Sequence, residues 1–219
     1  MKRAAVLLCL LAACAQQPPT SQPVSAPQDF PFEYYKKARP VFEVDPARSL
    51  VMITVRRGGS LARLGHDHVV ASHDVAGFVA PADGRADLYF ALERLVVDEA
   101  PLRAEAGLET TPSAEDIEGT RRNMLASVEA DKHPFVVMRV RALDPARTRL
   151  AAAITLHGVT REMEIAAKVE ATATGITATG RFQLLQSDFG ITPLSVLGGR
   201  IQVQDRLELR FSIVAHALH

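Results

Sequence analysis

RLAAAITLHGVTREMEIAAKVE, residues 149 to 170, decides how the rest of the chain is read. Leu150, Ala152, Ile154 and Leu156 alternate with Arg149, Ala151, Ala153 and Thr155. Beyond LHGVT, the series Met163, Ile165, Ala167 and Val169 alternates with Glu162, Glu164, Ala166 and Lys168. Period-two patterning on both sides of a short Gly-containing connection predicts an antiparallel β-hairpin with one wet face. A hairpin cannot bury one apolar face unaided, so the sheet must continue.

It continues on both sides. Upstream, Val51, Ile53 and Val55 alternate with Met52, Thr54 and Arg56 after a turn at Asp45-Pro46. LARLGHDHVVASHDVAGFVAPADG (61–84) reads as one bent or bulged strand ending at Asp83-Gly84. Leu88, Phe90 and Leu92 form the next apolar series, and Asp98 to Pro112, with no clean period, reads as a loop. Then the period changes. Ile117, Met124, Leu125 and Val128 share one helical face. Ser113 and Asp116 make a capping box, and His133-Pro134 ends the helix. Strands resume with Val136, Met138 and Val140 before the opening hairpin. Ile176, Ala178, Gly180, Phe182 and Leu184 follow it, and Val203, Leu207, Leu209, Phe211 and Ile213 close the chain.

About eight short antiparallel strands, each wet on one side, predict a closed barrel with one helix inserted between strands. Eight strands enclose an interior that side chains fill or that holds one small ligand. The inward sets are rich in Ala, Val, Leu and Ile, which leaves room for an apolar guest. A plainly filled barrel or sandwich satisfies the same periodicity.

The first residues read differently. Lys2 and Arg3 precede the apolar run Ala4 to Ala13, the layout of a secretory signal over residues 1–13, and too short to span a bilayer. Leu11-Ala12-Ala13-Cys14 resembles a bacterial lipobox, which makes Cys14 the expected lipidation site. Residues 14–31, rich in Pro, Gln and Ser, read as a tether, and 32–219 as one domain. Ala15, in place of an Asp, points to the outer membrane of a two-membrane envelope, with the domain facing the periplasm. Cleavage removes Cys9, so no free thiol is left for catalysis, a disulfide or a metal.

Without Lys2 and Arg3 the chain carries 23 basic and 25 acidic side chains, no footprint for nucleic acid. Aromatics are 5% and Trp is absent, so base-stacking platforms are also lacking. No Gly-x-Ser-x-Gly, ordered Ser-His-Asp set or phosphate-cradling loop is present. The reading is a binding protein, not an enzyme.

Several stretches together resemble the YceI-like family of periplasmic isoprenoid- and lipid-binding proteins. They are FEVDPARSLVMI (42–53), HDVAGFV (73–79), the helix ending in DKHPFVVM (131–138), LHGVTREMEI (156–165), and SDFGI (187–191) with IQVQDRLELRFSIVA (201–215). The resemblance implies an extended lipocalin-like antiparallel barrel with a long apolar cavity. It also implies a polyisoprenoid, quinone or other long lipid as ligand, and no cofactor. The expected lining is Ile53, Val55, Leu88, Phe90, Val136, Met138, Ala152, Ile154, Leu156, Ala178, Phe182, Leu184, Leu209, Phe211 and Ile213. Two positions depart from the family's pattern. Arg48 stands where His is common, and Gln186 where Arg is common. Gly65-His66-Asp67-His68 is a further departure.

Two constellations offer other chemistry. His66 and His68 would share one strand face and could hold a metal, with His73, His133 or His157 as a third ligand. Exposed or hydrogen-bonded rim histidines have the same spacing. Arg56, Arg57, Arg63, Arg121 and Arg122 could meet an anionic head group at a cavity mouth, or form a solvated surface. The expectation is a carrier or sequestering protein for a long apolar molecule, anchored to the membrane by its lipid, with a homodimer as a further association. A metal-binding protein or metal-dependent enzyme using His66 and His68, and an envelope scaffold with a filled barrel, are the alternatives.

Overall fold

The hairpin forms as its alternation dictates. In a computed structural model describing residues 25–218, β8 (Arg149–Leu156) pairs with β9 (Val159–Ala171) from Arg149↔Ala166 to Leu156↔Val159. His157 and Gly158 connect them with φ of 53° and 72°. Positive φ at both central residues gives the turn whose twist matches the strands. The expected leader, Cys14 and the tether up to residue 24 lie outside the described residues.

The remaining strands close the sheet. β1 (Phe42–Val44) and β2 (Leu50–Gly58) are separated by a turn in which the Ala47 N–H donates to Asp45 Oδ1 at 3.0 Å. β3 (His68–Ser72) pairs with β2, and β4 (Ala76–Ala80) with β1, so each pair of segments runs along one bent stave. β5 (Arg85–Ala91) pairs with β4, and β6 (Val96–Val97) with β3, forming the third stave. β7 (Phe135–Ala142), β8, β9, β10 (Gly175–Leu185) and β12 (Ile201–Ala217) follow in order. β12 pairs with both β1 and β2, closing an eight-stranded antiparallel barrel. A short β11 (Ser195–Val196) flanks β12.

Two expectations need correction. The stretch 61–84 is not one strand: Ala62–Leu64 is a helical turn, and the chain breaks again between Ser72 and Ala76. The break moves the pairing from β2 to β1 without leaving the stave, so period-two patterning persists through it. The segment 98–112 is not all loop either, because Ala100–Glu105 forms α2. Six residues are too few to display a 3.6-residue period.

The longer helix α3 (Ala114–Ser127) starts at the expected capping box. Ser113 Oγ accepts from the Asp116 N–H at 3.1 Å, and Asp116 Oδ2 accepts from the Ser113 N–H at 3.1 Å. Ile117, Met124, Leu125 and Val128 pack on the core. In the chain, α2 and this helix lie between the third and fourth staves; α3 borders one end of the barrel interior through Thr120, Asn123 and Met124, whereas α2 packs on the outer wall, where Glu105 pairs with Arg210 of β12 at 2.7 Å.

Glycines explain two of the short motifs. Gly77, with φ 141°, leaves no room for a Cβ, which would fall 2.1 Å from the Asp87 carbonyl oxygen on the neighbouring strand. Gly158 faces the His133 ring, which a Cβ would meet at 2.6 Å. His157 Nδ1 lies 3.0 Å from the carbonyl oxygen of Phe189, itself fully buried. The helix exit, the β8–β9 turn and the SDFGI segment are therefore locked together at the α3 end.

Outside the barrel, α1 (Phe32–Lys37) covers β4 and β5. Phe30, placed within the expected tether, is 7% exposed and stacks on Tyr89 at 4.8 Å, so packing begins before residue 32. Tyr35 donates to the buried Asp87 carboxylate at 2.7 Å, and Arg85 Nε donates to the same oxygen at 2.7 Å. None of the described helices is long and apolar enough to cross a membrane.

Candidate functional site

The barrel is not filled. A cavity of about 310 Å³ runs along its interior, within the ~300–1,000 Å³ range of small-molecule sites. Its walls come from every stave because each strand turns alternate residues inward. Ile53 and Val55, Leu88 and Phe90, Val136 and Met138, and Ala152, Ile154 and Leu156 border it. So do Ala178, Phe182, Leu184, Leu209, Phe211 and Ile213. Each side chain of the expected lining thus faces this space.

The β10 contribution, from Ile176 to Leu184, spans eight residue steps, or about 27 Å of strand. The space is long rather than round. Its middle is hydrocarbon, and its polar side chains gather at the ends. Arg85 and Arg147 lie at the β7–β8 turn end. His68, Thr120, Asn123, Ser127 and Gln186 lie at the α3 end. The α3 residues were missed because helical periodicity marks an apolar face and does not show which polar neighbours border a cavity.

His68 is the most constrained of these groups. Its Nδ1 lies 2.6 Å from Asp98 Oδ2, and Asp98 Oδ1 accepts from the Val69 N–H at 3.0 Å and from Arg103 Nη1 at 2.5 Å. The Asp98 side chain is 0% exposed. Burial pushes its pKa up, but the hydrogen bonds from His68, Val69 and Arg103 outweigh that effect and hold it below the ordinary 3.8. Arg103, buried on α2, also donates to the carbonyl oxygens of Asp67 (2.8 Å) and Thr110 and to Thr110 Oγ1 (3.1 Å). On the other side of the imidazole, His68 Nε2 lies 3.4 Å from Thr120 Oγ1. Asp98 and Arg103 were not singled out from the sequence. Asp98 is 30 residues from His68, and no spacing rule joins them.

The histidines do not form the shared face expected of them. β3 begins at His68, leaving His66 in the turn before it, and the two rings are 6.3 Å apart. His73 contacts Glu99 at 2.7 Å, while His133 stacks on His157 at 5.7 Å. Among the described residues, no group of three His, Cys, Asp or Glu side chains is placed to hold a metal ion.

The expected arginines do not border the main cavity. Arg56 pairs with Asp67 at 3.2 Å and with Glu208 at 3.5 Å. Arg57 pairs with Asp67 at 3.7 Å, and Arg121 donates to the Glu93 carbonyl at 2.6 Å. Arg63 and Arg122 are exposed. Arg56 and Arg57 instead border a second space of about 120 Å³ with His66 and His68. Of the two departures, Gln186 is buried in the main cavity wall and donates to the Gln204 carbonyl at 2.9 Å. Arg48 is exposed, 3.4 Å from His216 Nε2.

The chain matches the YceI-like domain family over residues 42–215. No curated protein matches it. Among solved structures, it resembles a polyisoprenoid-binding domain from Saccharophagus degradans implicated in plant cell wall breakdown. The TM-score is 0.58 at 12% identity, covering 82% of this chain and 100% of that one. It also resembles Burkholderia cenocepacia BcnA, with a TM-score of 0.53 at 14% identity, covering 78% and 98%. At these identities the likeness is one of fold.

Proposed function

We propose that this chain, which belongs to the YceI-like family, holds one long apolar molecule lengthwise in its barrel and so carries or sequesters a polyisoprenoid, quinone or related lipid. One observation carries the reading: an elongated cavity of about 310 Å³ whose middle is bordered by hydrocarbon alone. Each methylene moved from water into such a space contributes about 0.8 kcal/mol, so ten carbons supply ~8 kcal/mol before ordering costs. The Saccharophagus degradans neighbour, described as polyisoprenoid-binding, supports the choice of ligand class. The chain acts by enclosure, and no reaction is assigned to it.

The leader-like residues 1–13, Cys14 and Ala15 support placing the protein on the periplasmic side of an outer membrane, held by a lipid on Cys14. There it would keep a water-insoluble chain out of bulk solvent between membranes. The test is organic extraction of protein purified without detergent from its native host, paired with native mass spectrometry. One long-chain adduct per protein, recovered in the extract, supports the reading. A bare protein that also takes up no added isoprenoid contradicts it.

A further inference from the structure

The cavity is apolar along its middle but has a built polar end under α3, and the chemistry there selects among lipids. Asp98 is a buried carboxylate that can only accept, so the proton between it and His68 belongs to Nδ1 of His68. The other ring nitrogen, Nε2, is left on the cavity side, where Thr120 Oγ1 stands at 3.4 Å. The imidazole cannot readily turn away, because Asp98 is itself fixed by the Val69 N–H and by Arg103. Asp98 adopts φ 59°, a left-handed conformation that Asp tolerates better than most residues, and the pairing is kept despite it.

One polar atom nearby lacks a partner. His66 Nδ1 is buried without a hydrogen bond, and His66 and His68 both border the adjoining 120 Å³ space. The charges at this end are committed elsewhere: Arg103 to Asp98, and Arg56 and Arg57 to Asp67. Among the described residues, the arginines beside this end are thus already paired, so a phosphate or carboxylate brought here would be buried without an arginine of its own, which is costly. A hydroxyl needs none. Being both donor and acceptor, it can hydrogen-bond with His68 Nε2 and with Thr120.

We propose that His68, oriented by Asp98, is the head-group contact of the cavity and receives the hydroxyl end of a neutral long-chain alcohol or quinol, with the tail extending toward the β7–β8 turn. The assignment rests on the cavity reading above and adds orientation and head-group class to it. It gives Asp98 and Arg103 a role in positioning the contact.

The test uses the full chain, stripped of bound lipid, and three probes sharing one C20 isoprenoid chain: the hydrocarbon, the alcohol and the monophosphate. Affinities are read by competition in native mass spectrometry. The alcohol is expected to bind about 3–10-fold tighter than the hydrocarbon, the yield of one net hydrogen bond. His68→Phe should reduce that ratio to about one. Thr120→Val, at a half-buried helix position that leaves the His68–Asp98–Arg103 bonds in place, should lower the ratio. Equal binding of alcohol and hydrocarbon by the unaltered chain overturns the head-group assignment and leaves the cavity reading standing. So does an alcohol preference that survives both substitutions, or a monophosphate that binds tightest. Failure of the hydrocarbon itself to bind overturns the cavity reading, and the assignment with it.

Discussion

The ring of Phe211 occupies the space that a side chain at Gly180 would need. A Cβ on Gly180 would lie 2.6 Å from Phe211 Cζ and 2.7 Å from the Ala166 carbonyl oxygen on the neighbouring strand. The two residues pair directly between β10 and β12, so one glycine lets a large ring settle inside a barrel of mostly small side chains. Gly180→Ala should therefore destabilise the fold by about 1–3 kcal/mol, the usual cost of overpacking against backbone. Urea unfolding should show a lower midpoint at unchanged slope.

The Asp98–Arg103 pair is almost wholly removed from water. Taking away one partner of such a pair leaves the other buried and uncompensated, at a cost of about 3–5 kcal/mol. Asp98→Asn keeps a residue that accepts the left-handed backbone but removes the charge, and should lower stability by that order. The pH dependence has a definite sign. The folded-state pKa lies below the ordinary 3.8, so the folded form binds the proton less tightly than the unfolded one. The stabilisation is complete above pH 3.8 and is lost as pH falls from there through the folded-state pKa. Chemical unfolding across pH 2 to 6 should show that acid loss in the parent chain, and a shallower one in Asp98→Asn.

The three tyrosines report on the α1 packing. Tyr34 is raised above the ordinary 10.0 chiefly by its hydrogen bond to Asp83, Tyr35 chiefly by burial and then by Asp87, and Tyr89 chiefly by burial. Phenolate absorbance should therefore stay low past pH 10 in the folded protein and appear near pH 10 once urea unfolds it. A raised folded-state pKa means the associated stability is present below pH 10 and declines as pH rises above it. Tyr35→Phe removes one donor to Asp87 and should cost about 1–3 kcal/mol, Arg85 still serving the carboxylate.

The barrel wall was legible because period-two alternation survives the interruptions of the chain. Val51, Ile53 and Val55 keep their phase from the turn before them, and Leu207, Leu209 and Phe211 keep theirs beyond an irregular stretch between Val203 and Leu207. Ser113 and Asp116 likewise announced α3 through purely local hydrogen bonds. What stayed hidden depends on contacts without local periodicity. Near Ala100 only Pro101, a residue suited to a helix's first turn, hints at the six-residue α2, and nothing local marks the buried arginine that anchors it. His68 and Asp98 meet only because β6 returns to pair with β3. The Gly77 and Gly158 motifs were visible as patterns, but their cause, a backbone oxygen at one and the His133 ring at the other, is tertiary.

The central claim is that an apolar guest occupies the barrel interior, and Ala178 is the place to test it. Ala178 faces the cavity between Val169 and Ile213 on the flanking strands, and the chain has no tryptophan of its own. Ala178→Trp therefore introduces both an obstruction and a single fluorophore inside the proposed site. Excluding as few as three methylenes of the guest costs about 2.4 kcal/mol, or roughly 50-fold in affinity. The measurement is isoprenoid uptake by the folded variant, with its tryptophan emission and circular dichroism recorded alongside. The account predicts native circular dichroism, blue-shifted emission and uptake reduced by at least that factor. A folded variant with buried tryptophan and undiminished uptake would contradict it, because the lipid would then be bound somewhere other than the barrel.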